Sequence, residues 1–251
     1  MQLTELKWTE VSKLSRDMPL VFPIAAVEQH GPHMPVFTDS LLLGEVVRRT
    51  SQSLHGRALF APLLWLGNSH HHLDFPGTIS ASPRTYLDTL NDLAESFVPH
   101  GFRRFVYLNG HGGNIVPSQQ ATFELRQKYR SRSDLLLLSV SYWNTGNPND
   151  ADASFRQTEM AHACEWETSM MLRLRPELVG DYAVVAGVDS GRGFAPANRA
   201  WTTPDRTAFG HIGYPSAASA EKGEALFRVF AAGVAALLER VIAWDGKEWD
   251  A

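Results

Sequence analysis

Residues 19–39 read "PLVFPIAAVEQHGPHMPVFTD": an apolar run, then Glu28, His30, His33 and Asp39. The first half has the apolar, β-branched character of a strand. The second half sets acids and imidazoles where that strand would end, and such groups are costly to bury without partners. Together they can hold a hard or borderline divalent cation. In extended chain, residues two apart point to one side, so Glu28 and His30 can face a single cleft. Asp39 follows a loop and precedes a helical pattern. Taken alone it reads as a helix N-cap. In this company its two oxygens could bridge two metals lying about 3.5–4 Å apart.

Around this stretch, short apolar runs alternate with longer amphipathic ones, the pattern of βα units on a mainly parallel sheet. Strands are expected in "PLVFPIAAV" (19–27), "RALFAPLL" (57–64), "RRFVYL" (103–108) and "DLLLLSVSYW" (134–143). Helices are expected in "SLLLGEVVRRTSQSL" (40–54), "IVPSQQATFELRQKYR" (115–130), "EMAHACEWETSMMLRL" (159–174) and "AEKGEALFRVFAAGVAALLERV" (220–241). A further helix opens at Ser82 and Pro83, carries the stripe Leu87, Leu90, Leu93, Ala94 and Phe97, and ends by Gly101. Residues 180–215, rich in Gly and Pro, read as loop. The expected fold is α/β: one three-layer α/β/α domain over residues 1–251, with a mainly parallel sheet.

Composition bounds the function. The 251 residues are 44% hydrophobic and 20% charged, with a net charge of −4, so no basic face points to nucleic acid. Cys164 is the only cysteine, which excludes an intrachain disulfide and suits a reducing, cytoplasmic setting. The start, "MQLTELKWTEVSKL", lacks the apolar core of a signal peptide, and no apolar run approaches the roughly 20 residues of a membrane span.

Two further clusters fall where ligands gather in open parallel sheets, beyond the carboxyl ends of strands. In "NGHGGN" (109–114), Gly110, Gly112 and Gly113 allow a tight strand-to-helix turn with backbone close to a ligand. The run lacks the order of a phosphate-binding fingerprint, and His111 better suits a metal. In "EMAHACEWETS" (159–169), a continuous helix would put Glu159, His162 and Glu165 on one face, with Glu167 about 140° from His162. A third run, "HHHLDFPGT" (70–78), reads mainly as a turn, with one or two histidines at most near the cleft.

The combination "VEQHGPHMPVFTD", "FPGT", "NGHGGN", "HACEWETS" and "AEKGE", in this order, resembles the creatininase family of metal-dependent amidohydrolases over nearly the whole chain. The resemblance implies a three-layer α/β fold, two divalent cations (Zn, with Mn or Fe as options), hydrolysis of an amide or cyclic amide, and a homo-oligomer, commonly a hexamer. It assigns Glu28 and His111 to one metal, His30 to the other, Asp39 to both, and makes His162 the catalytic histidine. It also implies a small-molecule substrate attacked by hydroxide shared between the metals.

The departures bear on the substrate. Creatininase proper has an aromatic and a ligating glutamate in the glycine turn, where this chain has Gly112 and Gly113. Helical phasing offers Glu165 as the replacement ligand, with Glu159 second. A lid tryptophan of creatininase proper is replaced by Thr158, while Trp143 matches another pocket aromatic. Creatinine is therefore a poor candidate, and a wider pocket touching Trp143, Gly112 and Thr158 is expected. Within the family, a formamide deformylase or a peptidase of cofactor synthesis are alternatives, and Arg192, Arg199 and Arg206 could bind an anionic substrate. From another class, a non-catalytic sugar-phosphate or nucleotide binder would use the glycine turn. A purely structural metal is disfavoured, because closed zinc sites rely on cysteines.

Overall fold

The computed structural model describes residues 1–150, 154–189, 191 and 193–247. Four parallel strands, β1 (Leu20–Ile24), β2 (Leu59–Phe60), β3 (Arg104–Asn109) and β4 (Leu136–Ser141), stand in the order β2-β1-β3-β4. Leu20 lies opposite Phe105 and Ile24 opposite Asn109, so β1 and β3 end level with each other. Every residue of both strands is buried, as parallel strands covered on two faces require.

Side-chain alternation divides these strands between two cores. On one face Val21, Ala25, Val106 and Leu108 pack with α2 (Thr38–Ser53), α5 (Glu165–Leu174) and α6 (Ala220–Ala243). On the other, Leu20, Phe22, Ile24, Phe105 and Tyr107 meet α3 (Pro83–Glu95) and α4 (Ile115–Lys128). A short α1 (Trp8–Val11) precedes the sheet. The three-layer α/β/α arrangement is as expected. α3 opens as read, with Ser82 accepting from Thr85 N and Pro83 in the first turn.

Two expectations fail at element boundaries. Asp39 is not an N-cap: Phe37 takes that position, and Asp39 lies inside the first turn of α2 with its carboxylate free for other work. The helix expected from residue 159 begins only at Glu165. Before it, His162 bridges Ile212 (His162 N to Ile212 O 3.2 Å, Ile212 N to His162 O 2.7 Å), and Ala163 turns the chain at φ 49°. No helical phase therefore relates His162 to the glutamates that follow.

One charge ties the layers together. Buried Arg104 of β3 donates to Val241 O (2.7 Å), Ile242 O (2.9 Å) and Trp244 O (2.9 Å), carbonyls that the end of α6 leaves without helical partners. We expect Arg104→Met to cost about 2–4 kcal/mol, since buried acceptors lose charged donors. Urea denaturation would measure it, and a loss below about 1 kcal/mol would contradict this role.

Candidate metal centre

The level ends of β1 and β3 bring their following turns to one edge. After β1, Glu28 N donates to Val36 O (2.8 Å) and Gln29 N to Thr78 Oγ1 (3.1 Å), folding residues 28–36 into a loop that aims Glu28 and His30 inward. After β3, Asn109 Oδ1 accepts from His111 N (3.0 Å) and Asn109 Nδ2 donates to His111 O (2.8 Å), which fixes the histidine's direction. Gly113 is required there: an added Cβ would overlap Asn68 O and the His111 ring.

At this edge Glu28, His30, Asp39, His111 and Glu167 are all buried. Asp39 stands in the middle. Its Oδ1 is 3.1 Å from His30 Nε2, and its Oδ2 is 3.0 Å from His111 Nδ1. Glu28 Oε1 is 3.2 Å from the same His111 Nδ1, and Glu167 Oε1 is 3.8 Å from His30 Nε2. The opposite ring nitrogens face carbonyls, which can only accept: His30 Nδ1 meets Glu28 O (3.1 Å) and His111 Nε2 meets Asn68 O (3.1 Å). The protons of the neutral rings are thereby held outward, and the nitrogens facing the carboxylates are bare.

The charges follow from this packing. Burial opposes protonation of His111, but the Glu28 and Asp39 carboxylates outweigh it and raise the imidazole to about 10. Burial likewise opposes charge on His30, and Asp39 with Glu167 outweighs it, holding the ring well above its ordinary value. Burial raises Glu167 too, against the pull of His30. In Glu28 burial is overcome by His111, His72 and His162, which hold the carboxyl well below its usual range.

The residues fit a pair of cations. Glu28 Oε2, Asp39 Oδ2 and Glu167 Oε2 are buried and accept no hydrogen bond, a costly state for carboxylate oxygens unless a cation completes them. The 3.0–3.8 Å from His30 and His111 to their neighbouring carboxylates bracket the ~3.3 Å between ligands of a tetrahedral metal with bonds of about 2.0–2.1 Å.

His162 lies beside the cluster. Its ring is 4.5 Å from that of His30 and 4.3 Å from that of His72. Its Nε2 lies 2.9 Å from Gln29 O and 3.0 Å from Gln29 Nε2, and its Nδ1 stands 3.5 Å from Glu28 Oε1. Burial first, then the neighbouring imidazoles, hold His162 well below its ordinary value. A cleft of about 990 Å³ opens over these groups.

A family model described as creatininase, creatinine amidohydrolase, matches residues 4–238. The chain belongs to the creatininase family. It is 30% identical over 251 residues to a mycofactocin precursor peptide peptidase of Mycobacterium ulcerans (strain Agy99), covering 96% of this chain and 92% of that protein. It is 32% identical over 248 residues to a creatinine amidohydrolase of Pseudomonas putida, covering 92% and 93%. A solved structure described as "Creatininase Mn" superposes with a TM-score of 0.78 at 30% identity, covering 95% of this chain and 97% of that one. Another, of "Zn-Zn type", gives 0.78 at 32%, covering 95% and 97%.

Against this creatininase framework, Glu28, His30, Asp39, His111 and His162 fall in overlapping triads, such as Glu28–His30–Asp39, Glu28–His71–His111 and His30–His162–Glu167, joined by the Asp39–His111 contact. Glu165 does not join them. It turns to the other side of α5, where its carboxylate accepts from Lys222 Nζ (2.6 Å), Gln157 N (2.8 Å) and Arg156 N (3.2 Å). Glu159 is exposed and lines the cleft. The acid beside His30 is Glu167, which the assumption of a continuous helix had turned away. The signal for it was the i, i+2 pair of glutamates at a helix start, whose members point to opposite sides and so serve different partners. Of the three histidines at 70–72, at most two of which were expected near the cleft, His71 and His72 line it: His72 Nε2 is 3.5 Å from Glu28 Oε1, and the His71 ring stacks 5.8 Å from that of His111. Trp143 and Gly112 line the cleft, whereas exposed Thr158 is not among its lining residues. Arg199 and Arg206 are in the cleft wall; Arg192 lies outside the described residues.

Glu165 is buried and Lys222 partly buried, so Glu165→Ala would take the acceptor from the Arg156 and Gln157 amides and one partner from the ammonium, at a cost of about 2–4 kcal/mol. Denaturation should record that loss while metal analysis finds the wild-type content. A missing metal equivalent in this variant would restore Glu165 to the centre.

Proposed function

We propose that the protein hydrolyses an amide C–N bond using two divalent cations, one held by Glu28, His111 and Asp39, the other by His30, Glu167 and Asp39. The observation that carries this reading is the bridging posture of Asp39, each of whose oxygens faces an imidazole nitrogen. Solved relatives described as manganese and zinc–zinc forms support divalent metals of this kind. Bound cations would lower the pKa of water towards neutrality and polarise an amide carbonyl.

The chain's own groups supply the rest. Glu28 and Glu167 bring negative charge to the two sides of Asp39, and the carbonyls of Glu28 and Asn68 keep His30 and His111 in the tautomers that bind. His162, uncharged and beside the centre, can take a proton from the attacking water. It then delivers that proton to the departing nitrogen, which leaves poorly as an amide anion. Gln29 orients the ring through its backbone O and side-chain Nε2, both within 3.0 Å of His162 Nε2. The depth and width of the cleft, about 990 Å³, favour a substrate larger than creatinine. The peptide peptidase among the relatives supports an extended amide substrate.

Protein purified without chelators should hold two metal equivalents by elemental analysis. Glu167→Ala should hold one, and Asp39→Asn should hold fewer than one. Chelation should abolish hydrolysis of amides, formamides or short peptides, and Zn or Mn should restore it. Ligand binding indifferent to chelators, with no hydrolysis, would favour a binder instead. His162→Ala should keep both metals and lose about 10²–10⁴-fold in kcat. Full turnover in that variant would remove His162 from the proton path.

A further inference from the structure

Residues His70–His72 form a single turn beside the cleft, and its three imidazoles are placed differently. His70 is exposed. His72 is buried, with its Nδ1 met by Thr203 Oγ1 (2.7 Å) and Gln29 Nε2 (2.8 Å). His71 is half-buried and lines the cleft, and among the described residues neither of its ring nitrogens makes a hydrogen bond.

The backbone around this free ring is nevertheless fixed. On the floor side Asn68 N donates to Asn114 Oδ1 (3.0 Å) and Asn68 Nδ2 to Gly113 O (3.2 Å), which ties the turn to the one that carries His111. On the wall side Thr203 Oγ1 donates to His71 O (2.6 Å). The His71 ring lies nearly parallel to that of His111, with 17° between their planes and 5.8 Å between centres, and Trp201 stands edge-on to it at 5.0 Å. Gly113 leaves the room for it: a Cβ there would lie 2.9 Å from His71 Cε1.

This placement brings an uncommitted imidazole to the metal centre. A ring nitrogen of His71, one of His111 and a carboxylate oxygen of Glu28 all lie within 4.8 Å of one another. Ligands of a tetrahedral cation with bonds of about 2.0–2.1 Å stand ~3.3 Å apart, so moving the His71 nitrogen by about 1–2 Å closes the shell. Turning the ring to do so breaks no hydrogen bond among the described residues, whereas turning His72 would break two. Glu28, Asp39 and Glu167 already set three carboxylates against two dications, and a neutral donor adds coordination without adding charge.

Resting on the two-cation reading, we propose that His71 is a fourth protein ligand of the cation held by Glu28, Asp39 and His111. The family resemblance assigns no ligand to this turn. The two cations are then unequal. One has four protein ligands, while the cation at His30, Glu167 and Asp39 has three and keeps a position for substrate, as catalytic zinc sites do.

Metal affinity, measured without substrate, tests this. Protein stripped of metal is titrated with Zn against a chromophoric chelator as wild type, His71→Ala and His71→Phe. The phenyl ring keeps the stack between Trp201 and His111 and removes only the nitrogens. Loss of a group that merely orients a ligand costs about 10–100-fold in metal affinity, so loss of a direct ligand should weaken one of the two binding steps by about 100-fold or more in both variants. Added imidazole should restore that step in His71→Ala, where the ring's space is open, and not in His71→Phe. Urea denaturation of the stripped proteins checks that both variants fold as the wild type does. Wild-type affinity for both equivalents in either variant overturns the ligand and leaves the two-cation reading standing; retained in His71→Phe alone, it assigns the ring to packing. Uptake of fewer than two equivalents by the wild type overturns the two-cation reading, and the fourth ligand with it.

Discussion

A carboxylate shared between two imidazoles governs this structure. Asp39 is buried, yet both its oxygens face ring nitrogens that carry no proton in their neutral form. Without cations the group keeps protons on His30 and His111, whose affinity for them is raised by the surrounding acids. Divalent ions would take the place of those protons, because metal ligands bind in their deprotonated form. The fold thus carries a concentration of buried acid that only positive charge can balance, and its framework serves to keep that charge in place.

The parallel sheet makes this possible. β1 and β3 are adjacent and end level, so the turns after them deliver Glu28, His30 and His111 to one point. α2 and α5 arrive with their N-terminal turns towards the same edge, carrying Asp39 and Glu167. Helix N-termini favour nearby negative charge, which offsets part of the cost of burying these two acids. α5 is used from both sides. Glu167 serves the centre, while Glu165, two residues earlier, clamps Lys222 of α6 and the backbone of Arg156 and Gln157.

What could be read from the sequence was what depends on local pattern. The apolar runs placed all four strands, and Ser82–Pro83 marked the start of α3 because capping is decided within one turn. The cluster of Glu28, His30, Asp39 and His111 was legible because parallel strand ends gather their turns. Glu167 was not, since its direction depends on where α5 begins. That start is set by the left-handed turn at Ala163 and the pairing of His162 with Ile212, a contact fifty residues distant in sequence. Which histidines of "HHHLDFPGT" reach the cleft was not legible for a similar reason. His72 reaches Glu28 only because Thr203 and Gln29 hold it from remote segments.

The same contrast separates chemistry from specificity. The floor of the cleft rests on strand ends and helix first turns, where position is fixed by the two cores. Its wall comes from the described part of residues 180–215, which forms short turns and bridges outside both cores and is tied to the rest at Gly180, Thr203, Gly210 and Ile212. This chain is about equally similar to a creatinine amidohydrolase and to a peptide peptidase, at 32% and 30% identity over nearly its full length. Overall likeness therefore carries the framework and the capacity to act on a C–N bond, and the choice of substrate must reside in residues that can change without disturbing either core. The wall residues that touch the cleft, Arg199, Trp201 and Arg206 among them, lie outside every helix and strand of the layers, so they can change without disturbing either core.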